Sequence, residues 1–301
     1  MGTLRAYRGL LGNRNLVQLL AGEFISSIGD WLYLVALLIV VYQESEDPVL
    51  LGIIGAARVL PYVLLSVPAG IVADRFDRRL VLLVTDLARG AVMVLLAVLV
   101  ASDGPLIAVV ALAIVATCFS SFFGPAIGSY LPSIARDESQ LGPANSAWAT
   151  LDNLAFIIGP AVAGLLIAGS GLTLAFLLNA ASFVFCAALL WRLPPSRAGS
   201  TQAAGASADG SVEGAGEPIE STGGRADVRS SLRPLAGLLA IDIVAAVVFG
   251  GLGILTVVLA SDTFASGEEG TGYLNAAIGA GGLVGALLSG TLVVRRRLAW
   301  P

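Results

Sequence analysis

Glu23, Asp30, Arg58, Asp152 and Asp242 each interrupt a run of residues that is otherwise apolar. An ionisable side chain held in hydrocarbon is costly, so such residues face a cavity or a partner of opposite charge. Glu23 and Asp30 are seven residues apart and share a helix face, with Ser26 and Ser27 between them as part of one polar stripe. Arg58 lies three residues before Pro61. Counted at about 1.5 Å per residue from the ends of their runs, Asp30 and Arg58 reach similar depths, and the expectation is that they pair. Asp86 and Arg89 are three apart and can pair along one helix face, in a structural or a gating role. Asp152 follows Asn145 and Trp148 at helical spacing and shares a face with Gly159. A carboxylate buried away from Arg favours its protonated form. Glu23, Asp152 and Asp242 are therefore expected to carry protons, and Asp30 less so if Arg58 keeps it ionised.

The elements that position these residues follow from composition. The chain is 56% hydrophobic and only 13% charged, with a mean hydropathy of +0.88, whereas soluble domains carry about 25% charged residues. Apolar runs of roughly 20 residues recur, each long enough to cross a bilayer. The expected fold is all-α and polytopic, with eight spans near residues 15–42, 49–72, 80–101, 105–131, 142–168, 172–191, 234–260 and 272–294. The chain has no His, which removes the usual metal sites and His-based general base chemistry. Its two Cys, Cys118 and Cys186, fall inside apolar runs and read as packing residues. No cofactor, metal, nucleic acid or enzymatic nucleophile is implied.

Every basic residue is Arg. Arginines precede the first span, follow the second, fourth and eighth, and border the long connection after the sixth, while the alternate loops "QESEDP", "SDGP", "GSG" and "SDTFASGEEGTG" contain none. The positive-inside rule then places both termini in the cytoplasm of a multi-pass protein of the cell membrane. Residues 193–232, rich in Gly, Ala, Ser and Glu, are expected to form a disordered cytoplasmic linker. The chain thus divides into an N-terminal segment (1–14), a six-helix bundle (15–192), the linker, and the start of a second bundle (233–301). A parallel repeat crosses the linker: Glu23 matches Asp242 at an offset of 242 − 23 = 219, and Gly70 matches Gly290 at 290 − 70 = 220.

The turn "GIVADRFDRR" (residues 70–79) resembles the loop motif of the major facilitator superfamily, roughly G-x-x-x-D-R-x-G-R-R/K, between the second and third spans. Asp77 stands where the general motif has Gly. "SSIGDWLYLVAL", "AARVLPYVLLSVPAG" and "NLAFIIGPAVAGLL" also look like the branch containing macrolide-efflux-like carriers and the enterobactin exporter. "GPAVAG" (residues 159–164) resembles part of a motif of drug–proton antiporters, with Gly159 and Gly164 permitting close packing and Pro160 bending the span. On the physical reading, Gly70 allows two helices to approach, Asp74 pairs with Arg or caps a helix, and Arg75, Arg78 and Arg79 anchor the loop. The resemblance implies in addition a latch that breaks during transport, with Asp74 more important than Asp77.

The resemblance implies proton-coupled efflux of a small amphipathic compound, such as a drug, macrolide or siderophore, by alternating access. A lipid or lysolipid flippase and a non-transporting fragment or scaffold are the other readings. Such carriers normally have twelve spans, so this chain is expected to insert but to need a second copy or another polypeptide for transport. Topology is testable directly. Cys introduced at Ser45, Ser102, Gly169 or Ser266 reacts with an impermeant thiol reagent outside intact cells, and Cys at Ser211 does not; labelling at Ser211 reverses the orientation.

Overall fold

Pro, Gly and capping residues divide the chain into helices. The structure is a computed structural model that describes residues 9–196, 247–248 and 250–294, and every regular element among them is helical. Six stretches are long and apolar enough to cross a membrane: Arg14–Ser45, Pro48–Arg75, Arg78–Ala101, Leu106–Ile134, Leu141–Ser170 and Leu172–Trp191. The first is helix α1, opened by Asn13, whose side chain accepts from the Asn15 N–H. The second is divided into α2 (Pro48–Ala57) and α3 (Leu60–Arg75). Then come α4 (Arg78–Ala101), α5 (Leu106–Ile134), α6 (Leu141–Ser170) and α7 (Leu172–Trp191). Beyond the central connection lie the shorter apolar α8 (Gly250–Thr263), which ends in a π-turn at Leu259–Thr263, and α9 (Gly267–Val294). The expected linker from residue 197 onward, the first part of the seventh span and Asp242 lie outside the described residues.

The second span was expected to be continuous from 49 to 72. It breaks at Arg58 and Val59 because Pro61 has no N–H to return to the carbonyl of Ala57. The Val59 N–H instead turns tightly onto the Ala56 carbonyl at 3.0 Å. Arg58 thereby sits at a helix junction rather than mid-helix.

Helix α1 packs between α6 and α7; α4 lies against α7 and α5, α3 against α5, and α9 along α6. One apolar cluster includes Leu37, Val41, Leu96 and Phe176, and another includes Leu16, Leu82, Tyr130 and Leu131. Small residues set the tightest approaches. A Cβ at Gly164 would collide with the backbone of Gly272, and one at Gly279 with Ala161 and the Ile157 carbonyl. A Cβ at Gly159 would run into the Trp31 ring. Close packing therefore occurs at both glycines of "GPAVAG". At Gly70 the expected close approach is absent: nothing described lies within 4 Å of a Cβ there.

The Tyr42 hydroxyl lies 2.8 Å from both carboxylate oxygens of Asp262, joining the end of α1 to the π-turn of α8. The buried Asn13 Nδ2 joins the opposite end of α1 to the Ile134 carbonyl and the Gln140 side chain, each at 3.0 Å.

The motif loop also differs from expectation. Asp74 and Arg75 are exposed, and Asp74 caps nothing and pairs with nothing among the described residues. Asp77 takes that role: its carboxylate opens α4 by accepting from the Arg79 N–H at 3.0 Å, and it accepts from the Ser196 N–H at 3.1 Å. The physical reason is position, because Asp74 still lies within α3 whereas Asp77 immediately precedes the first turn of α4. Arg78 donates to the Ser196 hydroxyl at 3.2 Å, and Arg79 to the Trp191 carbonyl at 2.6 Å. The loop thus clasps the end of α7. Loss of a cap costs about 1 kcal/mol. Asp77→Ala is expected to lower the thermal midpoint of the purified protein by several degrees and Asp74→Ala to leave it nearly unchanged; the reverse order in a thermal melt contradicts this assignment.

Candidate functional site

A cavity of about 410 Å³ opens between α1, α3, α4, α5 and α6. The stripe on α1 contributes Glu23, Ser26, Ser27, Asp30, Trp31, Tyr33 and Leu34. Arg58 enters from the junction of α2 and α3, with Tyr62 one turn on. Arg89 and Met93 come from α4, Thr117, Ser120 and Phe123 from α5, Trp148 and Asp152 from α6, and Phe183 from α7. Of the charged residues singled out within the spans, Glu23, Asp30, Arg58, Arg89 and Asp152 therefore line one space, and Asp242 is outside the described residues. Asp152 is exposed to this space, while Gly159 two turns on is buried against Trp31.

The wall of the cavity is an ion cluster centred on Arg89. Its Nη2 donates to Asp86 Oδ1 at 2.5 Å, and its Nη1 lies 3.6 Å from Asp30 Oδ2. The guanidinium lies 4.2 Å from the centre of the Phe183 ring and 4.9 Å from that of Phe123. Asp86 is fully buried, with Cys186 beside it. Asp30 turns nearly half of its side chain, 46%, to the cavity. Glu23 is buried and accepts a weak hydrogen bond from Cys186 Sγ at 3.4 Å.

The expected Asp30–Arg58 pair does not form. Both ion pairs found among the described residues belong to Arg89, and Arg58 instead lies over the Tyr33 ring, 4.9 Å from its centre. Depth counting fixes height along a helix but not azimuth. Arg58 is carried by a broken helix, whereas α4 brings Arg89 to the same face of α1.

Three polar residues of α7 were not singled out as site residues. Asn179 is fully buried, and its Oδ1 accepts from the Ser182 hydroxyl at 3.1 Å. A Cβ at Gly29 would strike both side chains, so the glycine lets α1 approach this polar patch. Cys186, read as a packing residue, also donates to Glu23. The signal was the spacing 179, 182, 186, one helical face, in a span with no charge.

Comparison with known proteins gives a consistent picture. The Major Facilitator Superfamily model matches residues 19–301. The chain is 31% identical to the uncharacterized MFS-type transporter YfiS of Bacillus subtilis over 293 residues, covering 95% of this chain and 65% of that protein. It is 31% identical to the putative bacilysin exporter BacE of Bacillus subtilis over 60% of this chain and 44% of that one. It is 33% identical to the multidrug efflux pump Tap of Mycobacterium tuberculosis over 51% of this chain and 38% of that one. The chain spans less than two thirds of the length of each of these relatives. With its apolar helices, charged loop motif and family match over nearly the whole sequence, this multi-pass membrane protein belongs to the Major Facilitator Superfamily.

Proposed function

We propose that this chain forms the proton-binding half of an exporter that moves a small amphipathic compound out of the cell in exchange for protons. The family implies a transporter rather than an enzyme, and two relatives are named as exporters or efflux pumps. The observation that carries the proton coupling is the charge balance around Arg89. Three carboxyl groups, Glu23, Asp30 and Asp86, gather near one guanidinium in a space lined by Phe123, Met93 and Phe183. Arg stays charged in proteins, and even with Arg58 acting on the half-exposed Asp30 from across the cavity, two cations do not neutralise three anions. The cluster is most stable with a proton bound. Asp86 and Asp30 hold the ion pairs, which leaves Glu23 as the proton carrier, with Asp152 available at the cavity surface.

Alternating access then needs contacts that hold one state and part in the other. Tyr42–Asp262 and the Gly164–Gly272 contact lie at one end of the bundle. Tyr42 is 42 − 30 = 12 residues beyond Asp30, about 18 Å along the helix. Opening the cavity at that end separates them. In the cell membrane, with both termini cytoplasmic, that end faces outward.

The test uses an amphipathic rhodamine dye in cells that lack other efflux pumps. Cells expressing the chain are expected to retain less dye, and a protonophore is expected to erase the difference. Glu23→Gln, at equal membrane abundance, raises retention to the level of cells without the chain. Efflux insensitive to the protonophore, or undiminished in Glu23→Gln, contradicts proton carriage by Glu23.

A further inference from the structure

Arg58 and Tyr33 form a part of the cavity that the proton cluster does not use. Arg58 makes no ion pair among the described residues, because Arg89 holds Asp30. Its Nε is buried and has no hydrogen-bond partner among the described residues. Tyr33 beneath it is 5% exposed, and among the described residues its buried hydroxyl has no group to satisfy it other than Arg58. Both side chains line the cavity, with Tyr62 beside them. A guanidinium with no ion pair among the described residues, resting only on the Tyr33 side chain, is expensive in a low-dielectric space unless something else satisfies it. The guanidinium presents forked N–H donors that match a carboxylate in two parallel hydrogen bonds. The hydroxyl adds a further donor to the same oxyanion.

From this geometry we infer that Arg58 and Tyr33 form an oxyanion subsite that takes the carboxylate of the exported compound. This rests on the cavity being the substrate site. The remaining lining sets the rest of the ligand. Trp31, Phe123 and Trp148 offer flat apolar surface, and Asp30 and Asp152 are exposed to the cavity. An aromatic or otherwise apolar body with a carboxylate at one end and a cationic group at the other, an amphipathic zwitterion, complements all three features. Arg58 keeps a helical backbone and its N–H bonds the Ile54 carbonyl at 3.3 Å, so α2 itself places the guanidinium over the Tyr33 ring and sets the anion end.

The experiment is equilibrium binding to the purified full chain in lipid nanodiscs, read by fluorescence anisotropy. The probes are a zwitterionic rhodamine with a free carboxylate and the same dye as its methyl ester. The wild-type protein is expected to bind the free acid at least about tenfold tighter than the ester, the scale of a charge-assisted hydrogen bond. Arg58→Gln abolishes that preference by weakening the acid while leaving the ester unchanged, so ester binding reports that the cavity is intact. Arg58→Lys keeps part of the preference, and Tyr33→Phe costs the acid alone a few-fold. Should Arg58→Gln lose both dyes, Arg58→Lys and Tyr33→Phe decide: a loss confined to the acid supports the subsite, and an equal loss of both dyes overturns it. Equal wild-type affinity for acid and ester, or a preference that survives in Arg58→Gln, overturns the subsite and leaves the cavity assignment standing. Failure of both dyes to bind overturns the subsite and the cavity assignment together.

Discussion

A guanidinium shared among carboxyl groups in an apolar interior is the constraint on which the rest of the bundle depends. Arg89 reaches Asp86 on its own helix and Asp30 on α1, and it is held between the rings of Phe123 and Phe183. Breaking a buried pair by removing one partner costs about 3–5 kcal/mol, because the other charge is left uncompensated. The cluster therefore dictates which helices are neighbours. Helix α7 packs against both α1 and α4 and supplies the polar surface between them through Asn179, Ser182 and Cys186, while Arg89 reaches across from α4 to Asp30. Gly29 exists in this arrangement because any side chain there would occupy the space of Asn179 and Ser182. Packing follows electrostatics here, since lipid tails give apolar helix surfaces no reason to prefer each other.

On the proposed function, the same logic separates two roles within one cavity. The Arg89 side holds an excess of carboxyl groups and so suits a proton. The Arg58 side holds a cation with no ion pair among the described residues and so suits an oxyanion. Asp30 lies between, bound to Arg89 yet exposed to the cavity. A cationic group that reaches Asp30 competes with Arg89 for it, and protonation of the cluster changes that competition. In this proposal substrate and proton meet at one carboxylate without sharing a site.

Much of this was legible in the residue pattern. The helices follow from hydropathy, because a bilayer demands long apolar segments and water demands charged turns. The cavity residues Glu23, Asp30, Arg58 and Asp152 stand out because charge in such segments is expensive. Partner choice was not legible. Asp30 and Arg58 match in depth, but their azimuths depend on how α3 and α4 pack and on a helix break whose extent Pro61 alone does not specify. Asp74 fits the loop motif, yet the cap belongs to Asp77, because capping is decided by where a helix starts and not by motif likeness. Asn179, Ser182 and Cys186 were hidden for a plainer reason: small polar residues are common in spans, and only the approach of Gly29 and Glu23 gives them a role.

The central claim is that the cluster around Arg89 holds a proton on Glu23 at neutral pH. Difference infrared spectroscopy of the purified protein tests it without requiring transport, since a protonated carboxyl has a carbonyl band distinct from that of a carboxylate. The account predicts such a band at neutral pH in the wild-type protein and its loss in Glu23→Gln, with the band retained in Asp152→Asn. A wild-type protein without the band, or a band that persists unchanged in Glu23→Gln, contradicts it.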